Sequence, residues 1–199
     1  MGMFPGMKWM EKKEVIPFFK KQGSNFVAGA IDSSRPLYGL NYLASADKNQ
    51  IVFVVEGEKC AAALQSMGFL AVTSSGGCKA AAATDWKPLS GCARVILMHD
   101  NDKPGLEYVQ DVAAILAALD EPPGLSLMTI PDLPPAGDVV DWIYSKLSDL
   151  TPWNGYNPVP ETERGMLATE FQNLVEKYAV PVPDDWKSSS ESGIGFWAD

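Results

Sequence analysis

Short apolar runs alternate with helical patterns from residue 51 onward. Four runs have the length of buried strands, and they lie at residues 51–55, 69–73, 93–98 and 125–130. Between the last two, apolar residues at helical spacing predict an amphipathic helix that packs one face on a sheet. These residues are Leu106, Val109, Val112, Ala113, Leu116 and Ala117. This alternation predicts an α/β fold with an open, mainly parallel sheet of at least four strands and helices on both faces.

The flanking segments have different patterns. Residues 1–50 mix apolar and polar positions with frequent glycine and proline turn signals, which predict a small, strand-rich N-terminal extension. After residue 147 a loop precedes one apolar helix face and then a polar tail that we expect to be mobile. That face consists of Leu167, Phe171, Leu174, Val175 and Tyr178. We therefore divide the chain into an extension (1–50), an α/β domain (51–147) and a C-terminal linker, helix and tail (148–199).

The composition is that of a globular protein. Of the 199 residues, 46% are hydrophobic and 21% are charged, so the chain can bury one sizeable core. No apolar run approaches the roughly 18 residues that a membrane span needs, so we expect no membrane association. The first residues lack the apolar core of a secretory signal, and the expected compartment is the cytoplasm.

Acidic residues follow three of the four predicted strands, where each strand ends. Glu56 follows the first strand, Asp100 and Asp102 follow the third, and Asp138 and Asp141 lie beyond the fourth. Because consecutive βα loops of a parallel sheet share one edge, we expect these carboxylates to converge. A single aspartate in such a loop is equally well explained as a helix cap, but capping does not require an acid at the strand end as well.

Converging carboxylates repel one another unless a cation neutralises them. Mg²⁺ suits such a site, since it takes one or two carboxylates, keeps several waters and completes its octahedron with phosphate oxygens. The net charge of −9 does not oppose a role in phosphoryl chemistry, because acids gathered in a metal site make a chain anionic while a local basic patch still meets phosphate.

The motifs at these positions resemble a known family. EGE at 56–58, DND at 100–102 and GDVVDW at 137–142 follow the order of motifs in the topoisomerase-primase (TOPRIM) domain. The amino-acid sequence of these motifs most resembles that of the TOPRIM part of phage and mobile-element primases and primase-helicases. The resemblance covers about residues 35–147, including RPLYGL at 35–40 and the glycine-containing loop and Asp-Trp segment within 73–91.

The resemblance implies a role for each acid. Glu56 resembles the family's glutamate, which is a metal ligand or a proton shuttle in nucleotidyl transfer. Asp100 and Asp102 resemble the paired aspartates that hold Mg²⁺, with Mn²⁺ as an alternative metal. Asp138 resembles the additional acid of primases. Asp141 either orients a metal-bound water or only caps the following helix.

The chain departs from the family at position 60. Many members carry aspartate four residues after the glutamate, whereas this chain has Cys60. One carboxylate fewer would weaken binding at a third metal site. We interpret Cys60 as a small, buried, hydrophobic residue rather than a reactive thiol.

A second group of residues is a candidate for phosphate binding. Gly76 and Gly77 lie in a loop of small residues whose backbone N–H groups could receive a phosphate, although glycines mostly serve backbone conformations with positive φ. Lys79 follows them. Lys59 either contacts phosphate or only belongs to the first turn of a helix.

The resemblance implies Mg²⁺-dependent nucleotidyl transfer by the catalytic part of a DNA primase in DNA replication. Its partners would be a single-stranded DNA template and nucleoside triphosphates. Primases of this kind normally carry a zinc-binding module and often a helicase motor. The three cysteines lack zinc-ribbon spacing and no GxxxxGK[ST] loop is present, so we expect both functions from partners or from a longer parent chain.

Two other functions use the same residues. A nuclease would direct water at a phosphodiester with the same carboxylates, and sequence does not separate the two reactions. A non-catalytic nucleic-acid-binding or replication-associated module with a degenerate site is the third reading. Cys60 and the acidic charge balance favour that reading.

Overall fold

The computed structural model describes residues 18–20, 26–28, 34–147, 153–155 and 157–188. The chain forms two compact units, Met1–Ser33 and Ser34–Asp199. In the first unit, the described residues form two antiparallel strands, β1 (Phe18–Lys20) and β2 (Phe26–Ala28). These short strands agree with the strand-rich extension that the sequence predicts.

The second unit is built on a six-stranded sheet in the order β3-β5-β4-β6-β7-β8. Its strands are β3 (Leu37–Tyr38), β4 (Ile51–Val54), β5 (Leu70–Ser74), β6 (Arg94–Met98), β7 (Gly124–Met128) and β8 (Ala179–Pro181). The four central strands pair in parallel, whereas β3 and β8 pair antiparallel at the two edges. The four apolar runs are these four central strands, and the prediction of a mainly parallel α/β sheet is confirmed.

Helices cover both faces of this sheet. They are α1 (Leu40–Ala44), α2 (Glu58–Ser66), α3 (Lys103–Ala117), α4 (Val139–Lys146), α5 (Glu161–Tyr178) and α6 (Asp184–Ser188), with 3₁₀ turns at Cys78–Ala83 and Lys87–Leu89. Alternation along β4 separates the two cores, because successive side chains of a strand point to opposite faces. Phe53 packs in the core shared with α2, α4 and α5. Val52 and Val54 pack in the core shared with α3.

The sheet takes its edge strands from both sides of the predicted α/β domain. Strand β3 precedes residue 51, and β8 follows residue 147. The division of the chain at residues 50 and 147 stays a prediction. The last part of the predicted tail, from residue 189 onward, lies outside the described residues.

The predicted C-terminal helix is present as α5, and one aromatic cluster fixes it to the sheet. Leu167, Phe171 and Val175 of the predicted face are buried. The ring of Phe171 lies 5.4 Å from that of Phe53, 4.9 Å from that of Phe69 and 5.6 Å from that of Trp142, between centroids. Offset and edge contacts of this kind stabilise beyond area burial alone, so α5 belongs to the core.

None of the helices in the described parts of the chain combines the length and the apolar character needed to cross a lipid bilayer.

Phe171→Ala should lower the free energy of unfolding by about 3–5 kcal/mol, because it removes a fully buried ring and leaves a cavity between α5 and the sheet. Chemical denaturation measures the change. The matched control is Gln172→Ala at the exposed neighbouring position, where a shift within about 0.5 kcal/mol is expected. A loss for Phe171→Ala no larger than that of the control would contradict the packing described here.

Candidate metal centre

The carboxyl ends of three parallel strands bring acidic side chains to one edge of the sheet. Glu56 lies two residues beyond β4, and Asp100 lies two residues beyond β6. Asp138 follows β7 after a loop and is the N-cap of α4. Strand β6 pairs in parallel with both β4 and β7, so the three strands end at the same edge. The predicted convergence therefore agrees with the topology.

Three side chains at this edge come close enough to share one cation. Sγ of Cys60 and carboxylate oxygens of Asp100 and Asp138 all lie within 4.8 Å of one another. Ligands that bind one Ca²⁺ at 2.3–2.6 Å are at most about 5 Å apart, and those that bind one Mg²⁺ at 2.0–2.1 Å are at most about 4 Å apart, so the three atoms lie near the range for a single ion. Cys60 is 4% exposed, and both aspartates are partly buried.

The electrostatic state of Asp100 shows how closely the acids are gathered. Its pKa is raised from 3.8 to about 8, and burial, which disfavours the charged form, is the largest cause. Neighbouring negative charges raise the pKa further, and in order of effect they belong to Glu56, Asp138, Asp102 and Asp141. The other four predicted acids thus all act on the carboxyl group of Asp100. A bound cation would favour its charged form.

Glycine at position 105 allows the closest approach of α3 to Glu56 and Asp100. A Cβ atom there would lie 2.9 Å from Oε2 of Glu56, 2.9 Å from the Asp100 nitrogen and 2.8 Å from the Asp100 carbonyl oxygen. Any larger residue would therefore displace the first turn of α3 from the site. Oε2 of Glu56 is itself buried beneath this turn.

Three of the acids also cap helices, as the alternative explanation for single aspartates proposed. Asp102 is the N-cap of α3, and its Oδ1 accepts a hydrogen bond of 2.8 Å from the Gly105 N–H. Oδ1 of Asp138 accepts from the N–H groups of Val140 and Asp141, and Oδ2 of Asp141 accepts from the Asp138 N–H. A carboxylate has two oxygens, so capping through Oδ1 is compatible with binding a cation through the other.

One of the predicted phosphate-binding N–H groups is paired with a carboxylate of the protein itself. The Gly76 N–H donates to Oε1 of Glu58 at 3.3 Å. Gly76 and Gly77 both have positive φ, which agrees with the conformational role of glycine. Lys79 is exposed. The stem of Lys59 packs against Gly155, where a Cβ would lie 2.8 Å from Cε of the lysine. A phosphate-binding role for these four residues stays a prediction.

Comparison with known proteins bears on the fold. No protein-family model matches the chain, and no curated protein matches it in sequence. The crystal structure of a DNA primase domain from Pseudomonas aeruginosa is similar, with a TM-score of 0.51 and 15% identity over 82% of this chain and 46% of that one. The fold is that of the TOPRIM part of a primase catalytic core. The chain spans less than half the length of the Pseudomonas domain.

Two further primase structures are similar at lower scores. The structure of the DnaG primase catalytic domain bound to ssDNA has a TM-score of 0.45 and 19% identity, over 78% of this chain and 44% of that one. The E. coli primase catalytic core has a TM-score of 0.40 and 20% identity, over 77% of this chain and 62% of that one.

The candidate site also contains residues to which the sequence analysis gave no part in it. The sequence predicts that Cys60 is a small, buried, hydrophobic residue, and it is buried, but its sulfur lies among the acids. Its position four residues after Glu56, on the first turn of α2, was the available signal. Thr73 accepts a hydrogen bond of 3.1 Å from the Gly57 N–H and so fixes the turn after Glu56. No motif in the sequence indicated this contact.

Gly105→Ala should lower the free energy of unfolding by about 1–3 kcal/mol, because the added methyl group overlaps backbone atoms of Asp100 and the Glu56 carboxylate. The matched control is Gly165→Ala within α5, where a Cβ meets nothing within 4 Å. Because alanine has a higher helix propensity than glycine, the free energy of unfolding of this control should rise by about 0.5–1 kcal/mol. Thermal and chemical denaturation report both changes. Shifts in the same direction would contradict the close approach at Gly105.

The raised pKa of Asp100 predicts a pH-dependent stability for the metal-free protein. Between pH 3.8 and about 8 the folded state binds a proton on Asp100 that the unfolded state has released. The free energy of unfolding should therefore fall as pH rises through this window. Asp100→Asn cannot ionise and should remove that part of the slope. The measurement is denaturation at several pH values with a chelator, and parallel curves for wild type and variant would contradict the assignment.

Proposed function

We propose that the chain is a divalent-metal-dependent nucleotidyltransferase, the TOPRIM catalytic part of a phage or mobile-element DNA primase that acts in DNA replication. The observation that carries the proposal is the convergence of Glu56, Asp100 and Asp138 at one edge of a sheet with the primase-core fold. Acids gathered at the carboxyl edge of an open α/β sheet lie where such sheets bind ligands.

The side chains present fit a divalent cation. Asp100 and Asp138 offer oxygen ligands, and the raised pKa of Asp100 indicates a site that a positive charge would relieve. These two aspartates would hold Mg²⁺ or Mn²⁺, with Glu56 and Asp102 close by. Cys60 offers sulfur, a soft donor that hard cations such as Mg²⁺ do not favour. A bound cation would polarise phosphoryl oxygens and stabilise the charge that develops during transfer.

In the proposed reaction, the 3′-hydroxyl oxygen of a growing strand forms a bond to the α-phosphorus of a nucleoside triphosphate. The bond from that phosphorus to the bridging oxygen breaks, and pyrophosphate leaves. Glu56 is the candidate to accept the hydroxyl proton, because its carboxylate lies beside Asp100 at the same edge. Lys59, Gly76, Gly77 and Lys79 are proposed to contact the phosphates.

The proposed partners follow from this reaction. They are a single-stranded DNA template and nucleoside triphosphates. A helicase and a zinc-binding module would be supplied in trans or by a longer parent chain. The chain spans 46% of the Pseudomonas primase domain.

Primer synthesis tests the proposal directly. The protein is incubated with Mg²⁺ or Mn²⁺, labelled nucleoside triphosphates and single-stranded DNA, and short labelled primers are expected. Asp100→Asn should lower the rate at least about 100-fold, since loss of even an outer-shell partner of a metal ligand costs about 10–100-fold.

The matched control is Asp120→Asn, an exposed aspartate beyond the far end of α3, which should keep the wild-type rate. Shortened DNA in place of primers would support the nuclease. Unchanged DNA and nucleotides under all conditions would overturn the enzyme proposal and favour the binding module.

A further inference from the structure

The side chain of Asn101, the middle residue of the DND motif, reaches into the loop that precedes α4. We call residues 131–137 the proline loop. The amide nitrogen of Asn101 donates two hydrogen bonds to this loop, at 2.8 Å to the carbonyl oxygen of Leu133 and at 3.0 Å to that of Pro134. An asparagine amide has two N–H donors, and both carbonyls find a partner in it.

The backbone of Asn101 adds two more hydrogen bonds to the same loop. Its N–H donates to the carbonyl oxygen of Gly137 at 2.8 Å, and its own carbonyl accepts from the Ala136 N–H at 3.0 Å. Four hydrogen bonds from one residue thus connect the loop after β6 to the proline loop. The last of the bonded residues, Gly137, directly precedes the site acid at position 138.

The proline loop needs such external contacts. Residues 131, 134 and 135 are prolines and have no backbone N–H, so the loop has few donors of its own for its carbonyl groups. Asp132 and Ala136 have φ values of 60° and 57°, in the left-handed region that is unfavourable for residues other than glycine. Backbone in such conformations persists where surrounding contacts fix it. The hydrogen bonds to Asn101 are contacts of this kind.

We propose that Asn101 is a positioning residue that holds the carboxylate of Asp138 within 4.8 Å of that of Asp100, so that both can bind one cation. The effect of Asn101 on cation binding rests on the proposed function. That its hydrogen bonds fix the proline loop is a separate structural claim. Asn101 itself acts through the loop and not as a ligand. Both of its amide donors face the carbonyls of residues 133 and 134.

The test compares Asn101→Ala, Asn101→Asp and the control Asn173→Ala on an exposed position of α5. Mn²⁺ affinity is measured by calorimetry, and hydrogen exchange of residues 133–141 is measured without metal. Asn101→Ala should bind Mn²⁺ about 10–100-fold more weakly, as for loss of other groups that orient metal ligands. Its residues 133–141 should exchange faster, while the control keeps wild-type values.

Asn101→Asp separates positioning from charge. This substitution keeps the shape of the side chain but replaces both donors with acceptors that face two carbonyls, and it adds a negative charge beside the site. Positioning predicts weaker Mn²⁺ binding than in wild type in spite of the added carboxylate. A purely electrostatic influence predicts tighter binding, and that result would overturn the inference.

The remaining outcomes also decide. Wild-type Mn²⁺ affinity in Asn101→Ala would overturn the positioning role. If the wild-type protein binds no Mn²⁺, the proposed function fails, and only hydrogen exchange then tests the role of Asn101. Equal exchange rates of residues 133–141 in Asn101→Ala and wild type would show that Asn101 does not fix the proline loop. Faster exchange in the variant would support that role. If the alanine and aspartate variants do not fold, Asn101→Ser retains one donor, and its affinity must lie below that of wild type.

Discussion

Repulsion among carboxylates at one edge of the sheet is the constraint on which the rest of the structure depends. A parallel sheet places its strand ends together, and here each of three strand ends leads to an acid. Three helices begin at this edge, with N-caps at Gly57, Asp102 and Asp138. The positive ends of their dipoles, and the N–H groups of their first turns, which have no acceptor within the helix, favour negative charge there. The caps offset part of the repulsion. What remains adds to burial, which is the larger cause, in raising the pKa of Asp100.

The two hydrophobic cores offset the free-energy cost of gathering the acids at one edge. Burial on both faces of the central strands supplies most of the stability of an α/β unit, so one costly edge does not unfold it. The aromatic cluster around Phe171 lies on the face of the sheet that also carries α2 and α4, the helices that present Cys60 and Asp138. Packing there thus fixes the direction from which two of the three clustered side chains reach the site.

The sequence contained enough to predict the central sheet and the edge at which the acids meet. Apolar runs of five or six residues are long enough to show a strand, and parallel pairing then decides where their ends lie. Edge strands β3 and β8 have two and three residues, too few for any periodicity to appear. Contacts between distant loops have no local signal either. The hydrogen bonds from Asn101 to the proline loop span about thirty residues, and only the folded chain brings them together.

Cys60 shows how one residue changes the balance at this edge. Burial is the main cause that raises the pKa of its thiol, and the nearby charges of Asp138 and Asp100 raise it further, so the side chain is neutral at physiological pH. Sγ of Cys60 lies within 4.8 Å of carboxylate oxygens of Asp100 and Asp138, so an aspartate in its place would add another acid beside these two. The thiol therefore lowers the repulsion in the metal-free protein, and it offers a hard cation no oxygen ligand, since cysteine binds metals as the soft thiolate. Stability without metal and affinity for a hard cation are opposed at this position, as they are wherever a functional site gathers like charges.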